Sequence, residues 1–215
     1  MRGFGGSEAD PGDGPLTMEQ HADDAAALLD HLGIEAATVC GVSMGGYVAF
    51  ALWRRHPARV RALVLCDTRA TADTEAARRA RAQLAIRVRR EGSKAAVDAM
   101  LPNLISATTR RARPEVGGRL RAIAESIEAE TIVRALEGLA GRPDSTGLLP
   151  TITVPTLVLH GAEDATVPVD EARAMAGRIP GARLRVVDGA GHLPMVETPE
   201  AFDAELGRFI ESLAG

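Results

Sequence analysis

The chain has 215 residues, of which 46% are hydrophobic and 25% charged, a composition typical of a globular protein with one moderate core. Its formal net charge of −4 gives no reason to expect a nucleic acid or a membrane surface as a partner. No apolar run approaches the ~20 residues of a membrane span, and no signal peptide opens the chain. Because Cys40 and Cys66 are too few for a disulfide framework, we expect reduced, buried cysteines in a cytoplasmic protein.

The first predicted helix follows a loop rich in Gly, Pro and Asp that ends near Pro15. Thr17 and Gln20 have the spacing of a capping box, with Thr17 as the N-cap. The helix carries an apolar stripe and is expected to end at Gly33. The stripe consists of Ala25, Leu28, Leu29 and Leu32.

A short apolar strand over Ala37–Cys40 runs into the sequence Gly-Val-Ser-Met-Gly-Gly at 41–46, and a helix begins at Met44. A Gly-x-Ser-x-Gly turn between strand and helix strains the serine backbone, so the residues two positions to either side must be small. Gly46 would further let the helix pack close to the strand. The turn would present the Ser43 hydroxyl at the top of the sheet, with the Met44 N–H pointing where an oxyanion would form.

Apolar runs at 60–66, 155–160 and 183–187 predict three more strands. Helical patterns predominate between the first two of these runs, at 74–91, 93–102, 120–127 and 131–139. Two further helices are expected, one after Pro168 that ends near Ile179 and one that begins at Pro199. Alternating buried strands and amphipathic helices predict an α/β fold with a mostly parallel sheet and helices on both faces. The long helical stretch interrupts this alternation in the manner of an inserted lid.

Three residues follow predicted parallel strands, at the edge where open α/β sheets place their sites. They are Ser43, Asp164 and His192. A serine hydroxyl needs a general base to attack a carbonyl, and an imidazole needs an acidic partner that fixes its tautomer. The order Ser, Asp, His along the chain is the order of one known catalytic constellation.

Three loops, at 41–46, 160–168 and 189–194, resemble the signature loops of the α/β-hydrolase superfamily, and the segment at 2–7 resembles the loop after the fourth strand of that family. The resemblance covers essentially the whole chain and points to small lidded esterases, 3-oxoadipate enol-lactonases and cofactor-free haloperoxidase-type esterases. It implies Ser43 as nucleophile, His192 as base, Asp164 as orienting acid and Met44 N–H as an oxyanion donor. The core would comprise residues 1–67 and 148–215, and the helical lid residues 68–147, inserted after the sixth strand of the family.

Alternatives remain for these roles. Glu163 is adjacent to Asp164, and Asp67 follows the strand after which some members of the superfamily place the acid. His192, between a glycine and a leucine, could be an ordinary turn residue. The remaining histidines are given no catalytic role: His160 ends a core strand, and His21, His31 and His56 are expected at helix surfaces or ends.

The charge is unevenly distributed, because basic residues outnumber acidic ones by 13 to 5 between Arg69 and Arg121. One interpretation is that these arginines lie on solvated helix faces. The other is a positively charged covering element that attracts an anionic substrate.

The resemblance begins at the loop after the fourth strand, so the first strands of the family, roughly 50–60 residues, are expected to be absent. The loop that supplies the second oxyanion N–H would be absent as well, and the loss of one such donor lowers kcat by about 10²–10³. A start codon assigned too late, or a genuine truncation, would explain this. An open sheet edge could also favour a homo-oligomer.

The leading hypothesis is a serine hydrolase that cleaves a small carboxylic ester or lactone through an acyl-enzyme. The competing hypothesis is a catalytically impaired or non-catalytic protein of the same fold. No metal-ligand spacing was recognised, and neither a cofactor nor a nucleic-acid or membrane partner is predicted.

Overall fold

A computed structural model describes residues 1–8, 12 and 14–213. The described residues form a four-stranded sheet of order β1-β2-β3-β4, in which every pair of neighbours is parallel. The strands are β1 (Ala37–Val42), β2 (Val60–Cys66), β3 (Thr156–Gly161) and β4 (Arg183–Val187). Because all strands are parallel, their carboxyl ends share one edge, as the sequence predicted.

Ten α-helices connect and cover these strands within the described residues. The first two are α1 (Met18–His31) and α2 (Met44–Arg55), and five more lie between β2 and β3: α3 (Glu75–Glu91), α4 (Ser93–Leu104), α5 (Ala107–Ala112), α6 (Pro114–Glu125) and α7 (Ala129–Gly141). The others are α8 (Val169–Arg178), α9 (Pro194–Glu197) and α10 (Pro199–Glu211). None of the helices in the described part of the chain is long and apolar enough to span a membrane.

Side chains of β2 alternate between two cores. Leu63 and Leu65 face a cluster built with α2 and α8, whereas Val64 and Cys66 face a second cluster that includes Phe202 of α10. A strand that is buried on both faces needs apolar residues at successive positions, which explains the continuous apolar run. The predicted α/β fold with helices on both faces of a parallel sheet is confirmed.

The helices between β2 and β3 have a small core of their own. Ala85 and Val88 of α3 pack with Val133 and Leu136 of α7, and α4 joins them. A separate apolar cluster of this kind is consistent with the predicted lid, although the boundaries of that region stay a prediction.

The apolar face predicted for α1 is wrong at two of its leucines, although Ala25 packs against the core. The capping box of Thr17 and Gln20 forms as expected, but Leu28 and Leu32 are 56% and 57% exposed. The face that is buried consists of Met18, His21, Ala22 and Ala26, and α1 packs with it against α2. Smaller side chains permit a close approach of two helices, and a count of apolar residues along the chain does not show which stripe is used.

Several local predictions are also corrected. Cys40 is exposed, because it lies on the edge strand β1 and points away from the face that α2 covers. His21 is buried, and neither of its ring nitrogens has a hydrogen-bond partner among the described residues, so it is not a surface histidine. Helix α4 continues through Pro102 to Leu104. The loop predicted before Pro15 lies partly outside the described residues.

Candidate active site

The turn between β1 and α2 holds Ser43 in a rare backbone conformation, with φ of 51° and ψ of −112°. Two hydrogen bonds with the end of β2 and the loop after it hold this strained residue in place. The Ser43 N–H donates to the carbonyl oxygen of Cys66 at 2.9 Å, and the Thr68 hydroxyl donates to the carbonyl oxygen of Ser43 at 2.8 Å. Strain at a single non-glycine residue costs on the order of 1–3 kcal/mol and persists only where the surroundings enforce it.

Two glycines are required by close contacts around this turn. A Cβ atom on Gly41 would lie 2.3 Å from the carbonyl oxygen of Gly45, and one on Gly46 would lie 2.4 Å from the Thr68 hydroxyl. A Cβ on Gly45 would meet no atom within 4 Å. The expectation that Gly45 must be small is therefore wrong, because the helix carries that position away from the strand. Gly46 is needed for the approach to the loop after β2.

Ser43, His192 and Asp164 come together in one line of hydrogen bonds. The Nε2 atom of His192 lies 2.8 Å from the Ser43 Oγ, and its Nδ1 atom lies 2.7 Å from Asp164 Oδ2. Both partners in the second contact are buried. Because a carboxylate only accepts, Nδ1 carries the hydrogen and the Nε2 lone pair faces the serine hydroxyl. This arrangement can take a proton from the hydroxyl.

The geometry also separates the acidic candidates. The second carboxylate oxygen of Asp164 accepts the N–H groups of Thr166 and Val167 at 2.7 and 3.0 Å, which orients its first oxygen towards His192. Glu163 instead accepts a hydrogen bond from Thr108 of α5 at 3.1 Å. Asp67 accepts the N–H of Gly161 at 2.8 Å and is also directed elsewhere.

Asp67 and His160 form a buried layer behind Asp164. The Nε2 of His160 lies 2.9 Å from the carbonyl oxygen of Val167 and 3.7 Å from Asp164, and its Nδ1 lies 3.7 Å from Asp67. Burial, together with the nearby carboxyls of Asp164 and Glu197, raises the pKa of Asp67 to about 9. Burial also lowers the pKa of His160. Both side chains are therefore neutral at neutral pH.

Asp67, His160 and Asp164 also bring three side chains that can ligate a metal within 4.8 Å of one another, which the spacing along the chain did not reveal. Each side chain already has at least one partner: Asp164 bonds His192 and two backbone N–H groups, His160 bonds a carbonyl oxygen and Asp67 bonds Gly161. Among the described residues, Asp67 Oδ2 and His160 Nδ1 have no hydrogen-bond partner. A group that orients Asp164 fits these contacts better than a cation site does.

Glu197 in α9 was missed by the sequence analysis. One of its carboxylate oxygens accepts the N–H groups of Gly191 and Leu193 at 2.9 and 3.2 Å. The other accepts the N–H of Ser106 at 2.7 Å and the hydroxyl of Thr109 at 2.8 Å. A buried carboxylate thus joins the loop that carries His192 to the beginning of α5. The only available signal was its position five residues after the histidine.

A cavity of about 380 Å³ opens above the serine. Ser43, Met44 and His192 form its floor, and apolar side chains of α4, α6 and α7 form most of its wall. Met44 is the first residue of α2, so its N–H is one of the four at a helix start that have no partner within the helix. Two arginines, Arg69 and Arg81, also line the cavity.

The comparison with known proteins agrees with this architecture. The family model described as the alpha/beta hydrolase fold matches residues 1–199. The chain belongs to the α/β-hydrolase family. Its resemblance to that family at the three loops is therefore confirmed.

Similar α/β hydrolases include 3-oxoadipate enol-lactonase 2 of Acinetobacter baylyi, which is 33% identical over 207 residues, or 94% of this chain and 73% of that protein. A thermophilic esterase from Thermogutta terrifontis is 43% identical, with a TM-score of 0.95 over 99% of this chain and 78% of that one. The enol-lactonase from Burkholderia xenovorans is 33% identical, with a TM-score of 0.88 over 98% and 78% of the two chains. Ester hydrolysis by an α/β-fold enzyme is therefore supported for this chain.

Proposed function

We propose that this α/β hydrolase is a serine enzyme that cleaves a small carboxylic ester or lactone through an acyl-enzyme. The observation that carries the proposal is the line of hydrogen bonds from Ser43 Oγ to His192 at 2.8 Å and from His192 to Asp164 at 2.7 Å. These three side chains are a nucleophile, a general base and an orienting acid, and they are hydrogen-bonded in the order that nucleophilic acyl transfer requires.

The first half-reaction forms the acyl-enzyme. The Ser43 hydroxyl attacks the substrate carbonyl while His192 Nε2 takes its proton, and Asp164 stabilises the positive imidazolium that results. The tetrahedral intermediate then collapses. The bond to the leaving oxygen breaks, and that oxygen takes the proton from His192 as the alcohol departs.

The second half-reaction consumes water. His192 accepts a proton from a water molecule, whose oxygen attacks the acyl carbonyl. The bond to Ser43 Oγ then breaks, and Ser43 Oγ takes the proton back from His192. The products are a carboxylate and an alcohol, or a single hydroxy acid when the substrate is a lactone. The Met44 N–H at the start of α2 would donate to the oxyanion in both steps.

The helices between β2 and β3 would act as the lid that excludes water and selects the substrate. Their apolar side chains supply most of the cavity wall above Ser43. The similar proteins named as enol-lactonases and an esterase support a small ester or lactone as the substrate class.

The competing hypothesis is a catalytically impaired or non-catalytic protein of the same fold. Hydrolysis of p-nitrophenyl acetate by the wild type and by the Ser43→Ala variant separates the two hypotheses.

We expect the variant to lose at least about 10³-fold in kcat/KM, since the nucleophile is removed while binding groups remain. Mass spectrometry after rapid quenching should show an acetyl group on Ser43 in the wild type. Hydrolysis that is equally fast in both proteins would overturn the serine mechanism. Thermal unfolding of both proteins controls for loss of fold.

A further inference from the structure

Two arginines of the lid region lie at the wall of the cavity above Ser43. Arg69 and Arg81 line the cavity together with Ser43 and His192, and their side chains are 23% and 21% exposed. On α3, in contrast, Arg79, Arg87 and Arg89 form ion pairs at the surface, as Arg79 does with Glu75. A charged guanidinium in a largely apolar wall loses hydration, and that loss needs a compensating partner.

Asp73 is the partner that the chain itself supplies, and one carboxylate does not neutralise the cluster. Its fully buried side chain contacts Arg81 at 2.5 Å, Arg142 at 2.8 Å and Arg69 at 3.3 Å. Although its burial acts in the opposite direction, hydrogen bonds and charge from Arg81 and Arg142 hold the pKa of Asp73 below its ordinary value. Three positive charges therefore surround one negative charge.

The excess positive charge faces the cavity. Arg142 is buried and lies over the ring of Tyr47 at 4.1 Å, whereas Arg69 and Arg81 reach the cavity wall. Among the described residues, no carboxylate other than Asp73 forms an ion pair with these three arginines. Within the described part of the chain, the buried Nε of Arg69 has no hydrogen-bond partner. An unbalanced positive charge at the wall of a cavity is suited to an anion.

Arg69 is also close to the reacting centre, because its neighbour in the sequence contacts Ser43. It directly follows Thr68, whose hydroxyl donates to the Ser43 carbonyl oxygen at 2.8 Å. A substrate could therefore place its anionic group at Arg69 and its carbonyl at Ser43 Oγ with only a few carbon atoms between the two.

We propose that Arg69 and Arg81 form a carboxylate-binding subsite, and that the substrate is an ester or lactone with a carboxylate a few carbons from the scissile carbonyl. The inference rests on the proposed serine-hydrolase function. Arg69 would donate to the carboxylate from its Nη atoms, since a guanidinium binds a carboxylate through charge-assisted hydrogen bonds. Arg81 would add charge while it stays bonded to Asp73. The apolar wall would hold the remainder of the substrate.

The test compares two esters of similar length, mono-p-nitrophenyl glutarate, which carries a carboxylate, and p-nitrophenyl valerate, which is neutral. Both are assayed with the wild type, with Arg69→Gln and with Arg79→Gln, a control on α3 whose partner Glu75 is exposed. We expect the wild type to prefer the glutarate ester. The ratio of the two kcat/KM values should fall about 10-fold or more in Arg69→Gln and stay unchanged in Arg79→Gln.

The outcomes distinguish this inference from the proposed function. Ser43-dependent hydrolysis of both esters, without a preference for the glutarate ester or with the same preference in Arg69→Gln, would overturn the subsite and leave the serine mechanism intact. Failure of both esters to be cleaved would count against the serine mechanism.

A binding measurement stands apart from catalysis. Calorimetric titration of glutarate into the Ser43→Ala protein should show binding that is weakened about 10-fold or more by adding Arg69→Gln. Equal binding in the two proteins, or no binding in either, would overturn the subsite. Because this contact is partly buried, we expect its effect to persist at high ionic strength, unlike long-range steering by the lid.

Discussion

Glu197 fixes the backbone on both sides of His192. Its carboxylate accepts the N–H groups of the two flanking residues, Gly191 at 2.9 Å and Leu193 at 3.2 Å. The same carboxylate accepts two donors from the start of α5. His192 makes its bonds to Ser43 and Asp164 from this fixed backbone. The position of the proposed base thus depends on a contact with the helices that cover the cavity.

The first prediction concerns the substitution Glu197→Gln. All four partners of Glu197 are donors, and an amide offers them only one oxygen, so its NH₂ group must face two N–H or O–H groups. We expect a loss of about 2–4 kcal/mol in the free energy of unfolding and a fall in kcat of about 10-fold or more, with a smaller change in KM.

Denaturant unfolding and steady-state kinetics measure these effects. The exposed Glu200 at the start of α10 provides a matched control, and Glu200→Gln should change neither quantity. A Glu197→Gln protein with wild-type kcat would show that the carboxylate is not needed to position the histidine.

The second prediction separates the two adjacent acids. Asp164→Asn replaces the acceptor at His192 Nδ1 by a group that favours the wrong tautomer, so we expect kcat to fall about 10³–10⁴-fold. Glu163→Gln should stay within about threefold of the wild type, because Glu163 contacts Thr108 and not the histidine. Similar losses in the two variants would contradict the assignment of Asp164 as the orienting acid.

The third prediction is a pH dependence of stability that arises from Asp67. Its pKa is raised in the folded protein from 3.8 to about 9, so between these values the folded state keeps a proton that the unfolded chain has lost. Stability from this group is therefore complete below about pH 4 and declines as the pH rises towards 9. Its buried neighbours are His160, Asp164 and Glu197.

Asp67→Asn replaces the protonated carboxyl by a neutral group of the same shape and removes this decline. The melting temperature of Asp67→Asn minus that of the wild type should increase between about pH 5 and about pH 8, by an amount on the order of 10 °C. Asp170→Asn on the surface of α8 is the control. A difference that does not vary with pH would mean that Asp67 titrates normally.

The fourth prediction tests the turn at Ser43. Gly41→Ala would force a Cβ against the backbone of Gly45, so we expect the free energy of unfolding to fall by more than about 2 kcal/mol, and activity to fall with it. Gly45→Ala is the matched control: its Cβ meets open space, and alanine suits the first turn of a helix better than glycine does. Chemical denaturation compares the two variants. Equal destabilisation of both would contradict the packing described for this turn.

The sequence by itself predicted the parts of the protein that depend on local patterns. The continuous apolar run of β2 predicted a doubly buried strand, and the spacing around Ser43 predicted a sharp turn between strand and helix. Because parallel strands end at one edge, the positions of Asp164 and His192 after their strands were enough to predict that they meet near Ser43.

Only the tertiary structure decided contacts between distant segments. Ser106 and Glu197 are 91 residues apart, and nothing in the pattern around either indicates that they bond. The same limit explains the wrong face of α1, since the packing partner and not the number of leucines determines which stripe is buried. It also explains why a count of arginines could not separate Arg79 on the surface from Arg69 and Arg81 in the cavity: charge is a property of the residue, whereas burial and pairing are properties of the fold.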